Sequence, residues 1–378
     1  MKQDILPFLR CPTCKQHLNL QVFSTNNYGV TDGLLVCEAC GRGYPIIEGI
    51  PRLLPYELME LVIEKQATYF RQYRGELPAT LEDMHRASVE HADTKAKLAT
   101  GKSFGYEWTT YDLLLPEWQA EFRAYTQAFE PAYFSGKLIL DVGCGMGRFP
   151  YQYAQLDAEH VFGLDLSEAV EVAHRHTRDL PNVTIIQGDV YNLPFEDGTF
   201  DFASSLGVLL VLPEPGKGFR RLLAAVKPGG HVLIYMYKSF KDENLAKYWM
   251  VRFLSLVRRV TVRMPHGLLN LFCTLGVVPY YLFSVVPYFG LRSLGVPEET
   301  LSRWPIFQQD VKTNPYIIRQ LLFDRFATPI EWRYTRAEML EWFTSAGCKE
   351  VHIHGVGGWN VSGRKAHPTS EQEKGALA

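Results

Sequence analysis

The sequence predicts an α/β protein built on a doubly wound, mostly parallel sheet. Five short apolar segments support this prediction, and they begin at Lys137, Val161, Val183, Phe200 and His231. Helical spacers separate these segments, and consecutive strand–helix–strand units with right-handed crossovers build such a sheet. The chain has 378 residues, which is more than one sheet of this kind needs, so we expect an additional module and an insertion.

The composition is that of a folded globular protein. Hydrophobic residues make up 47% and charged residues 21%, and the formal net charge is −2. A near-neutral chain is a poor general binder of phosphate backbones, which disfavours nucleic acid as a partner. The first residues show no secretory signal. Seven cysteines without an export signal therefore indicate a reducing, cytoplasmic compartment.

The N-terminal module contains two Cys-x-x-Cys pairs, Cys11 with Cys14 and Cys37 with Cys40. Thiolates two residues apart grip one ion from a tight turn, so two such turns complete a tetrahedral set. We therefore predict one metal ion held by all four cysteines. A redox dithiol is the less favoured alternative, because two pairs occur and no strand–helix unit surrounds them. We expect this module to have a core of its own.

Residues 1–55 resemble the Trm112-like zinc-ribbon family, on the segments 9–12, 35–46 and 49–54. The resemblance implies a structural Zn²⁺, since four thiolates leave no ligand position for water. Members of this family often accompany methyltransferases as activators or as fused domains. The resemblance therefore implies that a methyltransferase domain should follow.

Residues 56–135 are predicted to hold a linker, N-terminal helices and a flap. The segment from Lys102 to Thr109 places three large aromatic residues within five positions, among them Tyr106 and Trp108. Two interpretations stay open. The segment is either a helix start packed on the main domain or a flap over a ligand that Tyr106 and Trp108 face.

A glycine-rich turn follows the first strand of the predicted sheet. Gly143, Gly145 and Gly147 let the backbone approach a ligand closely, although their spacing is not that of a dinucleotide-binding loop. Three strands also end in acids, which are Asp141, Asp165 and Asp189. A carboxylate after the first strand would repel a pyrophosphate but would suit an amino-bearing ligand. Because ligands bind at the carboxyl edge of such sheets, these acids predict one site.

The motifs at residues 141–147, 165–167, 188–190 and 227–230 resemble those of class I S-adenosylmethionine-dependent methyltransferases of the type 11-like branch. The resemblance covers roughly residues 100–240 and, more loosely, the tail to residue 366. We place the methyltransferase domain at 136–366. The resemblance implies a Rossmann-like sheet of seven strands that binds S-adenosylmethionine.

The same resemblance implies roles for individual residues. By analogy, Asp141, Gly143 and Gly145 lie at the methionine part of the cofactor. Asp165 would hold the ribose hydroxyls, and Asp189 would meet the adenine amino group. The adenine would lie between Leu166 and Val190, and Ser205 at the end of the fourth strand completes the predicted cofactor site.

The segment 244–297 is predicted to be a helical insertion. It contains no Asp or Glu but six Lys or Arg residues, and the 28 residues from Met264 to Leu291 include none of these four types. Pro279 and Pro287 interrupt the stretch, which disfavours a membrane span. A lid over the active site, a homodimer contact and a patch that rests on the inner face of a membrane stay open.

The apolar insertion predicts a small-molecule, lipophilic methyl acceptor. Tyr106, Tyr235 and Asp324 are the candidate catalytic residues, and residues 323–329 resemble a loop that this branch uses near the acceptor. The alternative functions are an RNA or translation-factor methyltransferase and a non-catalytic scaffold that partners another enzyme.

The C-terminal part returns to the α/β pattern. Thr335 and Glu338 have the spacing of a capping box, which predicts a helix that starts there. Residues 351–354 and 359–363 read as a hairpin that closes the sheet. Residues 367–378 are polar and are predicted to form a flexible tail.

Overall fold

One mixed sheet runs through the chain. The computed structural model describes residues 1–78, 92–302, 313–355 and 357–367, and the predicted tail from residue 368 onward lies outside this part. Twelve strands of the described part belong to the sheet. They are β1 (Asn19–Asn26), β2 (Gly29–Cys37), β3 (Arg42–Ile47), β4 (Ile50–Leu53), β5 (Leu138–Val142), β6 (His160–Asp165), β7 (Val183–Gly188), β8 (Phe200–Leu206), β9 (Val226–Lys238), β10 (Arg333–Tyr334), β11 (Cys348–His354) and β12 (Trp359–Lys365).

Seven of these strands form the predicted Rossmann-like unit, in the order β7-β6-β5-β8-β9-β12-β11. The strands β5 to β9 are parallel, and β12 and β11 add an antiparallel hairpin at the edge. The prediction of a doubly wound, Rossmann-like sheet is therefore confirmed, and so is the closing hairpin.

Helices cover both faces of the sheet. In chain order they are α1 (Glu60–Ile63), α2 (Ala67–Gln72), α3 (Ala92–Thr110), α4 (Glu117–Tyr125), α5 (Arg148–Ala154), α6 (Ala169–Thr177), α7 (Pro215–Ala225), α8 (Leu245–Thr261), α9 (His266–Tyr280), α10 (Val286–Ser293), α11 (Glu298–Ser302), α12 (Pro315–Ala327) and α13 (Arg336–Ser345). A π-helical turn, Tyr281–Val285, joins α9 to α10. Thr335 and Glu338 form the predicted capping box at the start of α13.

Side chains of the central strands alternate between two cores, as the two-residue period of a strand requires. Ile139 and Leu233 belong to one core with Phe122 of α4. Leu140 and Ile234, their neighbours in sequence, belong to the other core. Each strand is therefore buried on both sides, which explains why the segments read as continuous apolar runs.

The N-terminal ribbon continues the sheet of the main domain. Strand β4 pairs in parallel with the edge strand β7, and Arg52 lies opposite Gln187. Leu9 and Leu53 of the ribbon share one core with Phe162 and Phe195 of the main domain. The expectation of a separate ribbon core is therefore wrong. The edge of β7 offers unpaired backbone groups, and the apolar strand β4 satisfies them.

A buried arginine joins the two parts. The Arg52 guanidinium donates to Gln187 Oε1 at 3.0 Å and to Glu171 Oε1 at 2.6 Å. The amide of Gln187 in turn donates to the carbonyl of Leu166 at 3.0 Å. A chain of polar contacts thus leads from the ribbon to the carboxyl edge of the central sheet.

The insertion after β9, residues 244–297, consists of α8, α9, the π-helical turn and α10. Thr261 at the end of α8 donates to the carbonyl of Phe326 in α12 at 2.8 Å, and Leu269 and Cys273 of α9 share a core with Phe323 of α12. By length and composition alone, the helical stretch His266–Ser293 is the one in the described residues that could cross a membrane.

Residues 323–327 lie in a helix, although their sequence resembles an acceptor loop. Helix α12 begins at Pro315, and the Asn314 side chain caps it by accepting from the Tyr316 amide at 3.0 Å. Proline at the first helical position and an Asn cap favour a helix start, and no breaker follows before Pro329. The expectation of a loop at 323–327 is therefore wrong.

Candidate functional site

A cavity opens at the carboxyl edge of the central sheet, where the sequence predicts a ligand. Its walls come from the turn after β5 and from the ends of β6, β7 and β8, and helix α3 covers it. The lining includes the predicted residues Gly143, Gly145, Asp165, Leu166, Asp189 and Val190. The sheet thus brings these distant positions to one place.

The turn after β5 has a conformation that glycine accommodates best. Gly143, Gly145 and Gly147 all have positive φ angles, of 78°, 53° and 85°. A Cβ atom at Gly143 would lie 2.0 Å from a methyl carbon of Val208, which no real side chain could tolerate. A Cβ atom at Gly145 would come within 3.1 Å of the Trp108 ring. Both glycines therefore keep the backbone at the cavity wall.

Asp165 is a fixed acceptor on the cavity wall. One carboxylate oxygen accepts from the Gly145 amide at 2.9 Å, and the other accepts from the Ser167 amide at 2.8 Å and the Ser167 hydroxyl at 2.7 Å. Burial raises the pKa of Asp165, and these hydrogen bonds oppose that shift. The carboxylate cannot rotate freely, so it is preorganised to bind hydroxyl groups of a ligand.

Asp141 lies in β5, at the base of the glycine turn. The Ser204 hydroxyl donates to its Oδ1 at 2.6 Å, while Oδ2 is buried and has no partner in the described residues. Burial raises the pKa of Asp141 to about 7. A buried carboxylate oxygen without a partner is costly. A cationic amino group near the turn would supply the missing partner, so the site fits the predicted methionine end of S-adenosylmethionine.

Asp189 is already engaged by protein groups. Its Oδ2 accepts from Lys97 Nζ at 2.9 Å and from the Asn192 amide at 2.8 Å. The Lys97 ammonium also lies 4.2 Å from the centre of the Tyr191 ring. Lys97 lines the cavity. No local pattern predicts this role, because the acid that Lys97 meets lies 92 positions away in the chain.

Arg148 is a second cavity residue that the sequence analysis did not assign. Its guanidinium stacks over Trp108 and Trp118, at 5.1 and 4.5 Å from the ring centres, and pairs with Glu121 at 2.9 Å. Aromatic faces attract a cation. The cavity lining therefore includes a guanidinium held in place beside an apolar wall that includes Phe149.

The two aromatic residues of the predicted flap point to different places. Trp108 lines the cavity, whereas Tyr106 packs between His266 of the insertion and Phe323, with ring centres 4.9 and 5.4 Å away. Both lie within α3, so the segment is a helix that covers the cavity with one side and contacts the insertion with the other. No described residue of 244–297 lines the cavity.

The other candidate catalytic residues cluster beside the cavity. Tyr235 lies opposite Leu206, a lining residue, and Tyr237 follows on the same side of β9 with ring centres 5.8 Å apart. The Tyr237 hydroxyl donates to Asp324 at 3.0 Å, and burial raises the pKa of Asp324. Ser205 is buried one position before Leu206, does not line the cavity, and has no partner for its hydroxyl in the described part. The roles assigned to these residues stay predictions.

Glu107 is a further buried acid, and it lies between the two aromatic residues of the flap. Its carboxylate accepts from the Gln320 amide at 2.6 Å. Burial raises the pKa of Glu107 well above its usual value, and the nearby Asp324 charge adds to the shift. The aromatic residues on either side draw attention in the sequence, and nothing in their spacing marks Glu107.

The four cysteines of the ribbon meet at one point. Their sulfur atoms all lie within 4.8 Å of one another, with Cys11 and Cys40 at 3.7 Å and Cys14 and Cys37 at 3.4 Å. Zn–S bonds of about 2.3 Å in a tetrahedron place the sulfur atoms about 3.8 Å apart. The buried hydroxyl of Tyr44 lies 3.3 Å from the Cys11 sulfur. The arrangement therefore fits one tetrahedral zinc ion.

Comparisons with known proteins agree with this geometry. Residues 140–234 match the family described as a methyltransferase domain, and residues 2–49 match the family described as a Trm112p-like protein. The chain carries a methyltransferase domain behind a Trm112p-like segment. The first match contains the glycine turn and all three strand-end acids, and the second contains all four cysteines.

Two curated relatives and one solved structure illustrate the similarity. The ubiquinone biosynthesis O-methyltransferase of Vibrio parahaemolyticus is 39% identical over 30% of this chain and 47% of its own. The phthiotriol/phenolphthiotriol dimycocerosates methyltransferase of Mycobacterium leprae is 25% identical over 49% of this chain and 71% of its own. A complex of the Haloferax volcanii Trm112 methyltransferase activator with a methyltransferase is 15% identical, covers 71% of this chain and 99% of that chain, and has a TM-score of 0.41. This chain spans 26% to 44% of the length of the first curated relatives that it matches.

Proposed function

We propose that this protein is an S-adenosylmethionine-dependent methyltransferase that acts on a small molecule with a large apolar body. The observation that carries the proposal is the cavity at the carboxyl edge of the sheet, where the glycine turn, Asp165 and Asp189 meet. The names of two relatives, which refer to ubiquinone biosynthesis and to phthiotriol dimycocerosates, support an apolar acceptor.

The residues of the cavity fit the cofactor. S-adenosylmethionine supplies an activated methyl group on a sulfonium centre. Asp165 would hold the ribose hydroxyls, and Leu166 and Val190 would flank the adenine. Asp141, which is buried at the base of the glycine turn and does not itself line the cavity, would accept from the amino group. Asp189 would reach the adenine amino group once the Lys97 side chain gives way. These side chains contribute to the reaction by positioning the reacting groups.

The acceptor side of the cavity excludes water with apolar walls. Trp108, Phe149 and Leu206 form such a wall. A hydroxyl acceptor would also need a proton acceptor. We propose Asp324 for this task, because it is buried next to Tyr237 and burial raises its pKa above that of an ordinary acid, with Tyr235 and Tyr106 as residues that orient the acceptor.

The ribbon would hold a structural zinc ion through Cys11, Cys14, Cys37 and Cys40. Cysteines remain reduced and able to bind zinc in a reducing environment, so we propose that the protein works in the cytoplasm. We further propose that its partners are the small acceptor and, through the insertion, a membrane surface or a second subunit.

Transfer of a labelled methyl group tests the activity and the acceptor class together. The protein is incubated with tritiated S-adenosylmethionine and a total cell extract, which is then separated into organic, RNA, protein and small polar fractions. We expect label in the organic fraction and S-adenosylhomocysteine as the second product. The matched control is Asp165→Asn, which should lose most of this transfer.

Other distributions of the label would contradict the proposal. Label in RNA or protein would support the RNA or translation-factor alternative. Binding of S-adenosylmethionine without transfer to any fraction would support a non-catalytic scaffold. If calorimetry shows no binding of S-adenosylmethionine at all, the assignment of the cavity is wrong.

A further inference from the structure

The insertion leaves much of its apolar surface uncovered. On α8 the exposed apolar side chains are Leu245, Trp249, Phe253, Leu256 and Val260, and Phe253 is 63% exposed. Along His266–Ser293 they include Leu275, Leu282, Phe283 and Val286, and Phe283 is 68% exposed. We call the exposed apolar side chains of these two helical stretches the apolar platform. Soluble monomers rarely expose contiguous apolar surface on this scale, so the platform needs a partner.

The arrangement on α8 is that of a helix at a polar–apolar interface. At 100° per residue, the five exposed apolar positions fall within an arc of about 80°. Arg252 and Arg259 lie about 20° to 40° beyond one edge of this arc, and both are exposed. Arg258 lies on the opposite side, where it pairs with the buried Glu331 at 2.5 Å. Arg252 and Arg259 thus border the apolar stripe, whereas Arg258 forms an ion pair within the protein.

The longer helical stretch packs on the protein near both of its ends. Leu269 and Cys273 share a core with α12 near its start, and Val285 and Tyr288 share a core with Leu301 near its end. A membrane-spanning helix would need lipid or other membrane-embedded groups on all sides. Here the protein packs against the stretch near its start and again near its end. The stretch is therefore placed to lie along a membrane surface rather than to cross the membrane.

We propose that the apolar platform docks on an anionic membrane surface. The apolar stripes would enter the boundary between head groups and acyl chains, and Arg252 and Arg259 would meet the anionic head groups. Charge complementarity favours this partner, because residues 244–297 contain no acid. A second copy of the chain fits less well, since it would bring arginines together with no acid of the insertion to pair with them.

The platform is one helix away from the cavity. Tyr106 of α3 contacts His266, and the Tyr111 hydroxyl, just after α3, donates to Asn270 of α9 at 2.7 Å. The same helix places Trp108 in the cavity wall. Docking would therefore hold the cavity-bearing domain close to the membrane, where a lipophilic acceptor is concentrated. This last step rests on the proposed function, whereas docking itself does not.

Vesicle flotation without cofactor or acceptor tests the proposal. The full-length protein is mixed with vesicles of neutral phosphatidylcholine, or with vesicles that also contain phosphatidylglycerol. We expect flotation with the anionic vesicles at low salt and weaker flotation at high salt. Arg252→Gln combined with Arg259→Gln should weaken binding by about 25-fold, at about fivefold for each arginine. Phe253→Ser combined with Leu256→Ser should weaken it at least tenfold.

Two controls keep the result interpretable. Leu113→Ser combined with Leu114→Ser removes exposed apolar residues outside the platform and should leave flotation unchanged. Brominated lipid should quench the fluorescence of Trp249, and Trp249→Phe should lose that component. Calorimetry with S-adenosylmethionine should give the same affinity for the platform variants as for the original protein, so a failure of docking is distinguishable from a failure of the cofactor site.

Two outcomes would overturn the proposal. The first is no flotation with anionic vesicles at low salt. The second is flotation that the Phe253 and Leu256 changes leave intact, while light scattering shows that they dissociate a dimer. That result would assign the platform to a second copy of the chain.

Discussion

Removal of the Arg52 guanidinium group tests whether the ribbon and the methyltransferase domain unfold as one unit. Arg52→Met keeps the length of the side chain but removes its hydrogen-bond donors. The guanidinium is 2% exposed, and its partners are Glu171, Gln187 and the carbonyl of Ile47. The variant therefore leaves the side-chain oxygen of Gln187, the carbonyl of Ile47 and the carboxylate of Glu171 without this donor.

The expected cost follows from this geometry. Breaking a buried ion pair costs about 3–5 kcal/mol when one partner stays behind. Glu171 is 29% exposed and keeps a hydrogen bond from Gln66 at 3.1 Å, so water and Gln66 soften the loss. We therefore expect a cost at the lower end, about 3 kcal/mol of the free energy of unfolding.

A matched variant changes an exposed ion pair between the same two parts. Glu196 pairs with Arg10 at 2.8 Å, and its side chain is 69% exposed. Exposed pairs contribute about 0–1 kcal/mol, so Glu196→Gln should have a small effect. Urea unfolding, followed by tryptophan fluorescence and far-UV circular dichroism, measures both variants. The two signals should change together, because one core and one sheet include both parts.

Two results would refute this reasoning. An Arg52→Met cost below about 1 kcal/mol would mean that the buried contacts do not hold the ribbon in place. A separate early transition for the ribbon, with the remainder unfolding as before, would mean that the shared core does not couple the two parts.

Three further predictions concern the cofactor and metal sites. Asp165→Asn should weaken binding of S-adenosylmethionine by about 1–3 kcal/mol in calorimetry. The control is Asp201→Asn, which changes an acid at the end of β8 far from the cavity and should leave the affinity unchanged. Equal affinities for the two variants would mean that Asp165 is not the ribose acceptor. Asp141 should lose its proton as the pH rises through about 7, so affinity for the amino-bearing cofactor should increase from pH 6 to 7.5, and Asp141→Asn should flatten this dependence. Because the pKa of Asp141 is raised in the folded state, this residue stabilises the unliganded protein at low pH, and the stabilisation is lost as the pH rises from 3.8 to about 7. Urea titrations should show that Asp141→Asn lacks this pH-dependent loss. One zinc per chain should be found by elemental analysis, and Cys11→Ser should both lower that content and destabilise the whole chain; unchanged stability of the main domain would contradict the shared core.

Local sequence patterns are sufficient to predict the central sheet and the edge at which a ligand binds. Each parallel strand is a short apolar run, and strand-end acids and glycines mark the edge without any knowledge of distant contacts. The metal site is likewise predicted from the short spacing within each cysteine pair. These features depend on residues close together in sequence, so the chain reveals them directly.

Features that depend on distant pairing were not accessible in this way. Nothing in Ile50–Leu53 indicates that it will pair with β7, and nothing around Lys97 indicates that it will meet Asp189. The resemblance of residues 323–329 to a loop also failed, because the helix is determined by its start at Asn314 and Pro315, outside the compared segment. The insertion pattern predicted apolar helices but not which of their sides the protein would cover.

The pairing of β4 with β7 has a consequence for biosynthesis. Arg52 and Gln187 are 135 positions apart, so β4 leaves the ribosome well before its partner strand exists. At about 5–20 residues per second, the delay is about 7 to 27 s. During that time the nascent chain displays an unpaired apolar edge, which is a template for wrong pairing between chains. Ribosome-associated chaperones would therefore act on this protein earliest at its N-terminal end, and the speed of translation through the first half of the chain would influence how much of it reaches the native state.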